Sequence, residues 1–267
     1  MFKRVFSKQN RALLSELVRT DFKLRYQGSV LGYLWSLLRP LLIFLILYVV
    51  FVKFLKLGNG VPHYPVYLLL GIVLWNFFTE MTVQSTTAIV SRGDLIRKIR
   101  IPRWLIIFAT SLSALINLLL NLLVVVVFMV INNVKVLNTL PLVVLPLLEI
   151  YIFALGLSFL LSALFVRFRD VTYIWEVLLQ AGFYMTPIIY PLSRITNIKF
   201  QEVIMLNPLA QAIQDTRYTA ITHSSPTIYR IFNGGWYQFI PFVIIIIFVI
   251  IGTLYFKKES KFFAENI

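Results

Sequence analysis

Three carboxylates stand where a membrane-like stretch rarely keeps one: Glu80, Glu149 and Glu176 each fall in or beside a long apolar run. An ionisable group in hydrocarbon faces the bundle interior and pairs there, or it lies on a transport path. Isolated acids of this kind can also carry protons, which is the chemistry of an ion-coupled transporter. Hydrolytic or metal chemistry has less to draw on. The two histidines, His63 and His223, sit in connecting segments with no ligand spacing beside them. Cysteine is absent, which excludes disulfides, thiolate metal sites and iron–sulfur clusters.

The elements that must hold these groups follow from composition. The chain is 59% hydrophobic and only 13% charged, with a mean hydropathy of +0.84; soluble domains carry roughly 25% charged residues. A hydrocarbon core about 30 Å thick needs roughly 20 apolar residues per helix. Six runs meet that need, at 31–52, 66–90, 104–131, 140–166, 172–190 and 237–256, the fifth being interrupted by polar residues and Pro187. Alternating ten-residue segments are missing, so backbone hydrogen bonds must close within each run. The predicted fold is an all-α integral membrane bundle of six transmembrane helices, one domain over 1–267. The first thirty residues lack the apolar core and small-residue cleavage site of a leader, so the first span is expected to stay.

Charge orients the bundle. Of 25 Lys and Arg residues, eight lie in 1–39, five in 91–103, two in 167–171 and three from 257 onward, which puts eighteen on one side and seven on the other. The positive-inside rule makes the first side cytoplasmic, with both termini there. The net charge of +14 is then a matter of topology and anionic lipid headgroups, not of nucleic acid.

Several segments between the spans carry patterns of their own. Residues 10–26 draw as an amphipathic interfacial helix, with Leu13, Leu14, Leu17, Val18, Phe22 and Leu24 on one arc. Asp21 and Arg25 intrude on that arc, and their i,i+4 spacing lets them pair. Gly28 and Gly32 loosen the backbone before the first span, and Arg39 is placed to reach back to the headgroups. Residues 91–103 combine an early Asp94, a basic cluster and a terminating Pro102, which suits a short cytoplasmic helix on which a soluble partner can push two spans at once. On the far side, 191–236 predicts two short helices broken at Asn207–Pro208 that sit on, or re-enter, the outer leaflet.

Taken in order, RTDFKLRYQGSVLGYLWSLLRPLL at 19–42, DLIRKIRIPR at 94–103, FRDV at 168–171, and FYMTPIIYP followed by NPLAQAI at 183–213 resemble the permease subunits of polysaccharide-exporting ABC transporters, of the O-antigen, teichoic-acid and capsule export type. The resemblance covers most of the chain. It implies a subunit of the bacterial inner (plasma) membrane that dimerises around a central path and binds two cytosolic ATPase subunits. Those partners would hold the ATP and magnesium, since this chain has no Walker A pattern and needs no cofactor. It also implies that Asp94, Leu95, Ile96, Arg97, Lys98, Ile99, Arg100, Pro102 and Arg103 form the helix seated in the ATPase, and that 191–222 holds the external gate helices.

A sliding sugar polymer has hydroxyls and apolar C–H faces, so its conduit should offer aromatic platforms and few strong charges. Tyr33, Trp35, Tyr48, Trp75, Phe77, Phe78, Phe183, Tyr184 and Tyr190 lie on or beside spans and are the candidate lining. A lipid pyrophosphate would be met at the inner leaflet by Arg19, Lys23, Arg25 and Arg39, with Gly28 and Gly32 shaping that mouth. Three other readings share the composition: an ion-coupled secondary transporter, a membrane enzyme acting on lipid-linked sugars, and a passive channel.

Overall fold

The computed structural model describes residues 8–26, 31, 32, 34–56, 58, 60–98 and 101–263, and among them every regular element is helical. Helix α1 (Lys8–Tyr26) precedes α2 (Leu34–Leu47), which contains Pro40 and widens into a π-helical stretch over Tyr48–Phe54. Helix α3 (Tyr64–Ser91) opens on Pro65, whose missing N–H costs nothing in a first turn, and leads into the short α4 (Gly93–Lys98). Next come α5 (Trp104–Ile131), α6 (Val144–Arg167) and α7 (Val171–Met185). The short helices α8 (Ile198–Met205), α9 (Pro208–Ala220) and α10 (Ile228–Ile231) precede the last long helix, α11 (Ile240–Glu259).

Helix α3 is the hub. Its first half is apolar on all sides and buried from Val66 to Trp75, as a stretch without a polar face must be. Helices α5 and α6 flank it, and α11 lies along α6.

Five helices among the described residues are long and apolar enough to cross a membrane: 34–54, 64–91, 104–131, 140–167 and 236–259. They coincide with five of the six predicted runs. The run at 172–190 departs from prediction, forming a 15-residue helix, α7, followed by turns and bends over 186–190. At 1.5 Å per residue α7 is about 22 Å long, short of a hydrocarbon core about 30 Å thick. It stops where it does because Pro187 drives the preceding Thr186 into extended backbone, with ψ at 135°.

Contacts sort the connecting segments into two ends. At one, Leu17 of α1 packs on Leu105 and Ala109, while Phe256 and Phe263 pack with Ile89, Ile106 and Val166. Helix α1, the 91–104 connection, the 167–170 turn and the end of α11 therefore lie together. At the other, Thr139 donates to the Thr219 carbonyl at 3.0 Å and Tyr64 to the Ile189 carbonyl. The basic segments predicted for one side are thus gathered at one end of the bundle.

Helices α6 and α11 cross through two glycines. A Cβ on Gly252 would strike the Gly156 carbonyl oxygen, and one on Gly156 would stand 2.9 Å from the Val249 Cα, so the two backbones are in contact. Gly252→Ala is expected to destabilise the bundle by about 2 kcal/mol, the usual scale of overpacking. Thermal unfolding in detergent checks this, with the exposed neighbour substitution Ile251→Ala as the control that should leave the midpoint in place.

Candidate functional site

A polar cavity of 590 Å³ lies between α2, α3, α5 and α7. Helix α3 supplies Asn76, Glu80 and Gln84 at a spacing of four, which puts them on one stripe. Helix α5 presents Asn117 and Asn121 across from them. Glu80 Oε1 accepts from Asn117 Nδ2 at 2.6 Å and from Gln84 Nε2 at 3.3 Å. Asn121 Nδ2 donates to the Ser36 carbonyl at 3.3 Å and to the Asn117 carbonyl at 2.8 Å, tying α5 to α2. Trp35 and Arg39 of α2, Phe77 of α3 and Glu176 of α7 complete the wall. Carboxylates, amides, one guanidinium and two aromatic faces form a surface that can bind hydroxyls and stack on C–H faces.

The other predicted aromatic residues are dispersed. Trp75 and Phe78 are buried in an aromatic cluster, with Trp75 5.8 Å from Phe183 edge-on and Phe78 stacked 5.7 Å from Phe153. Both border an apolar cavity of 520 Å³ between α3, α6, α7 and α11. Tyr48 packs on Phe44 beneath Lys53. Tyr184 is exposed, and Tyr190 donates to its carbonyl at 3.2 Å. Gly32 adopts φ +51° just before α2. Arg19 and Lys23 are exposed on α1. Tyr33 and Gly28 lie outside the described residues, as does the Arg25 side chain.

At the basic end, α4 carries Asp94 in its first turn and Arg97 and Lys98 in its last, in accord with the helix dipole. Leu95 packs inward against the Leu17 cluster and Ile96 against the Phe263 cluster, whereas Asp94, Arg97 and Lys98 are exposed. Two ties hold the segment. Arg92, between α3 and α4, forms an ion pair with Asp21 of α1; the predicted pairing of Asp21 with Arg25 falls on a side chain outside the described residues. Arg103, next to Pro102, donates to the Ser260 carbonyl at the end of α11. Ile99 and Arg100 lie outside the described residues.

The opposite end is organised by a residue that reading the sequence did not single out as functional. Arg217 of α9 is wholly buried. Its guanidinium donates to the carbonyls of Tyr67 at 3.2 Å, Pro187 at 2.6 Å and Ile188 at 3.0 Å, and lies 3.4 Å over the Tyr67 ring. Tyr64 takes the next carbonyl, Ile189. The carbonyls of the turn after α7 are thereby satisfied by side chains. Along α7, Trp175 donates to Thr82 at 3.0 Å and Gly182 faces Trp75, so the chain passes from the Thr82 level of α3 to its first turn.

Helix α9 starts at Asn207, whose Oδ1 accepts from the Leu209 N–H at 3.0 Å. Gln211 then bridges two acids, donating to Glu149 at 3.3 Å and to Asp215 at 2.6 Å. Glu149 therefore lies against α9 and not in the cavity with Glu80 and Glu176. Burial raises the Asp215 carboxyl to about 6, with the Gln211 amide pulling the other way. His223 contacts Thr139 at 3.1 Å, and His63 precedes α3 in a left-handed conformation. No cluster able to hold a metal occurs among the described residues.

Asn76, Gln84, Asn117 and Asn121 were likewise missed. Their signal was available: amides repeating every four residues within spans that are otherwise apolar.

Comparison with known proteins bears on the whole of this arrangement. Residues 12–221 match the ABC-2 type transporter family. An O-antigen export system permease protein RfbA of Myxococcus xanthus is 32% identical over 80% of this chain and 81% of its own. One from Klebsiella pneumoniae is 30% identical over 95% of this chain and 94% of its own. The polysialic acid transport protein KpsM of Escherichia coli is 26% identical over 74% and 76%. With the family's match running from α1 through α9, across the polar cavity and both ends of the bundle, the chain belongs to the ABC-2 type transporter family.

Proposed function

We propose that this chain is the membrane subunit of an ATP-driven exporter that carries a lipid-linked polysaccharide, of O-antigen or teichoic-acid type, out of the cytoplasm across the inner membrane. The observation that carries the reading is the match over 95% of the chain to an O-antigen export permease. ATP is hydrolysed by a separate cytosolic subunit, two copies of which serve a homodimer of this chain. Helix α4 receives their force through Asp94, Arg97 and Lys98, and the ties to Asp21 and Ser260 pass it to α1 and α11.

The chain crosses the membrane six times, the fifth crossing being α7 with the non-helical residues after it, so both termini are cytoplasmic. That count agrees with α1 and the end of α11 meeting at the same end of the bundle. The sugar chain contacts Trp35 and Phe77 in the polar cavity, while Arg39 and the exposed Arg19 and Lys23 meet the lipid pyrophosphate. The exposed face of α7, with Tyr173 and Val177, turns toward the second copy and the central path.

In a strain lacking the gene, polymer is expected to accumulate inside the cell. Surface display should return only when this chain and its ATPase are both supplied, and the two should copurify from mild detergent. Export that persists with an ATPase unable to hydrolyse nucleotide would overturn the reading in favour of an ion-coupled transporter.

A further inference from the structure

The apolar cavity of 520 Å³ beside α7 has no part in the export reading. Its wall includes Leu157, Leu160 and Leu164 of α6 and runs along α7 from Val171 to Gly182. Over that stretch a helix rises about 16 Å, close to the roughly 15 Å depth of one leaflet's hydrocarbon. Ile174 and Leu178 on the wall are exposed, so the space opens sideways at membrane depth, where hydrocarbon tails are the solvent. Tyr173 and Val177, the residues turned toward the second copy, stand about 100° away around α7. Leu179 lines both this space and the polar cavity, so whatever fills the one braces a wall of the other.

Polar groups on the wall are already engaged. The Trp175 N–H donates to Thr82, while Asn207 accepts from the Leu209 N–H and donates to Thr186. Nothing in the space calls for a hydroxylated ligand, and a cavity of this kind stays dry until an apolar group fills it. Its mouth is different. The leucine stripe of α6 continues three residues on at Arg167, and Arg169 follows in the turn to α7. Both are exposed, Arg167 lying 5.4 Å from the Phe168 ring centre and Arg169 5.1 Å from that of Phe165. Lys257 and Lys258 end α11 at the same end of the bundle, against Asp170 and Glu259 in these two segments, so the mouth is basic. Basic pockets between spanning helices at the inner face hold anionic headgroups.

We propose that each subunit holds a resident anionic phospholipid of the inner leaflet, one tail lying in the groove between α6, α7 and α11 and its phosphate on Arg167 and Arg169. The lipid is a fixed part of the subunit and not its cargo. It fills the space behind α7, a helix too short to span alone, and so steadies Leu179 against the polar cavity.

The full transporter with its ATPase is reconstituted in phosphatidylcholine vesicles containing a minority of phosphatidylglycerol, re-extracted in mild detergent, and its retained lipids are counted by mass on the intact complex. Phosphatidylglycerol is expected at one molecule per copy of this chain, enriched several-fold over its share of the vesicle. Arg167→Gln with Arg169→Gln should abolish that preference. Leu178→Trp, which places a bulky ring in the groove from an exposed position, should abolish retention, whereas Leu123→Trp on the exposed face of α5 should not. No enrichment in the parent, enrichment that survives the arginine pair, or retention unchanged in Leu178→Trp would overturn the site. The chain has no native cysteine, so Ile174→Cys reports on the rival occupant. A disulfide between two copies through position 174 would show that protein covers the groove, and would overturn the proposal as well. Retention involves no transport, so it is decided separately from the export reading.

Discussion

Arg217→Leu is expected to deplete the protein from the membrane and to abolish a cooperative thermal transition in detergent. The guanidinium is enclosed and donates to three carbonyls, two of which, Pro187 and Ile188, lie in the turn after α7. Backbone outside a helix survives at membrane depth only when protein satisfies it. Leucine would leave these acceptors unmet at about 1–3 kcal/mol each, a total comparable with the whole stability of a domain. Arg217→Lys should rescue little, because a compact ammonium cannot place planar forked donors on carbonyls from two segments. A Cβ on Gly71 would also collide with the guanidinium, so Gly71→Ala should show a milder form of the same defect. An Arg217→Leu protein with the parent yield and melting temperature would remove this residue from its structural role.

The paired reversal Arg97→Glu with Lys98→Glu is expected to do the opposite: keep the fold and lose the function. Both side chains are exposed at the end of α4, outside the apolar clusters that Leu95 and Ile96 join. If they face an acidic groove on the ATPase, reversing them sets like charges together, at a cost on the order of 3 kcal/mol or roughly a hundredfold in affinity. Copurification and export should fall together while the melting temperature holds. Leu95→Asp is the informative contrast. Leu95 packs on the cluster formed by Leu17, Leu105 and Ala109, so its replacement should loosen α1 and α4 from the bundle as well. Copurification unchanged after the reversal would move the contact surface elsewhere.

Fold legibility varied along the chain for physical reasons. Five spans were readable because hydrophobic length alone decides them. The clustering of basic segments at one end was readable because charge is costly in hydrocarbon wherever the helices pack. The short basic helix at 93–98 was visible from Asp94, Arg97 and Lys98, whose placement follows the dipole of an isolated turn. The 172–190 run was misjudged in form, since Pro187 was noted as an interruption but the helix end it imposes at Met185 was not.

The candidate site was less legible. Trp75, Phe77 and Phe78 look alike in sequence, yet Phe77 faces the polar cavity while the other two border an apolar one. The polar stripe of Asn76, Glu80 and Gln84 is narrow, and periodicity alone does not say what each aromatic residue beside it packs against. Glu80, Glu149 and Glu176 were equally ambiguous: two border one cavity, and the third meets Gln211 more than sixty residues away in sequence.

Hydrophobic length, charge segregation and proline position are properties of short windows of chain, and they determined five of the spanning helices and the end at which the basic segments gather. Which amides face one another, which arginine is swallowed by the bundle and where two cavities share a wall depend on the rotation of each helix about its axis. That rotation is set by contacts such as Gly156 on Gly252 and Arg217 on Tyr67, between residues far apart in the chain, so only the tertiary structure decided it.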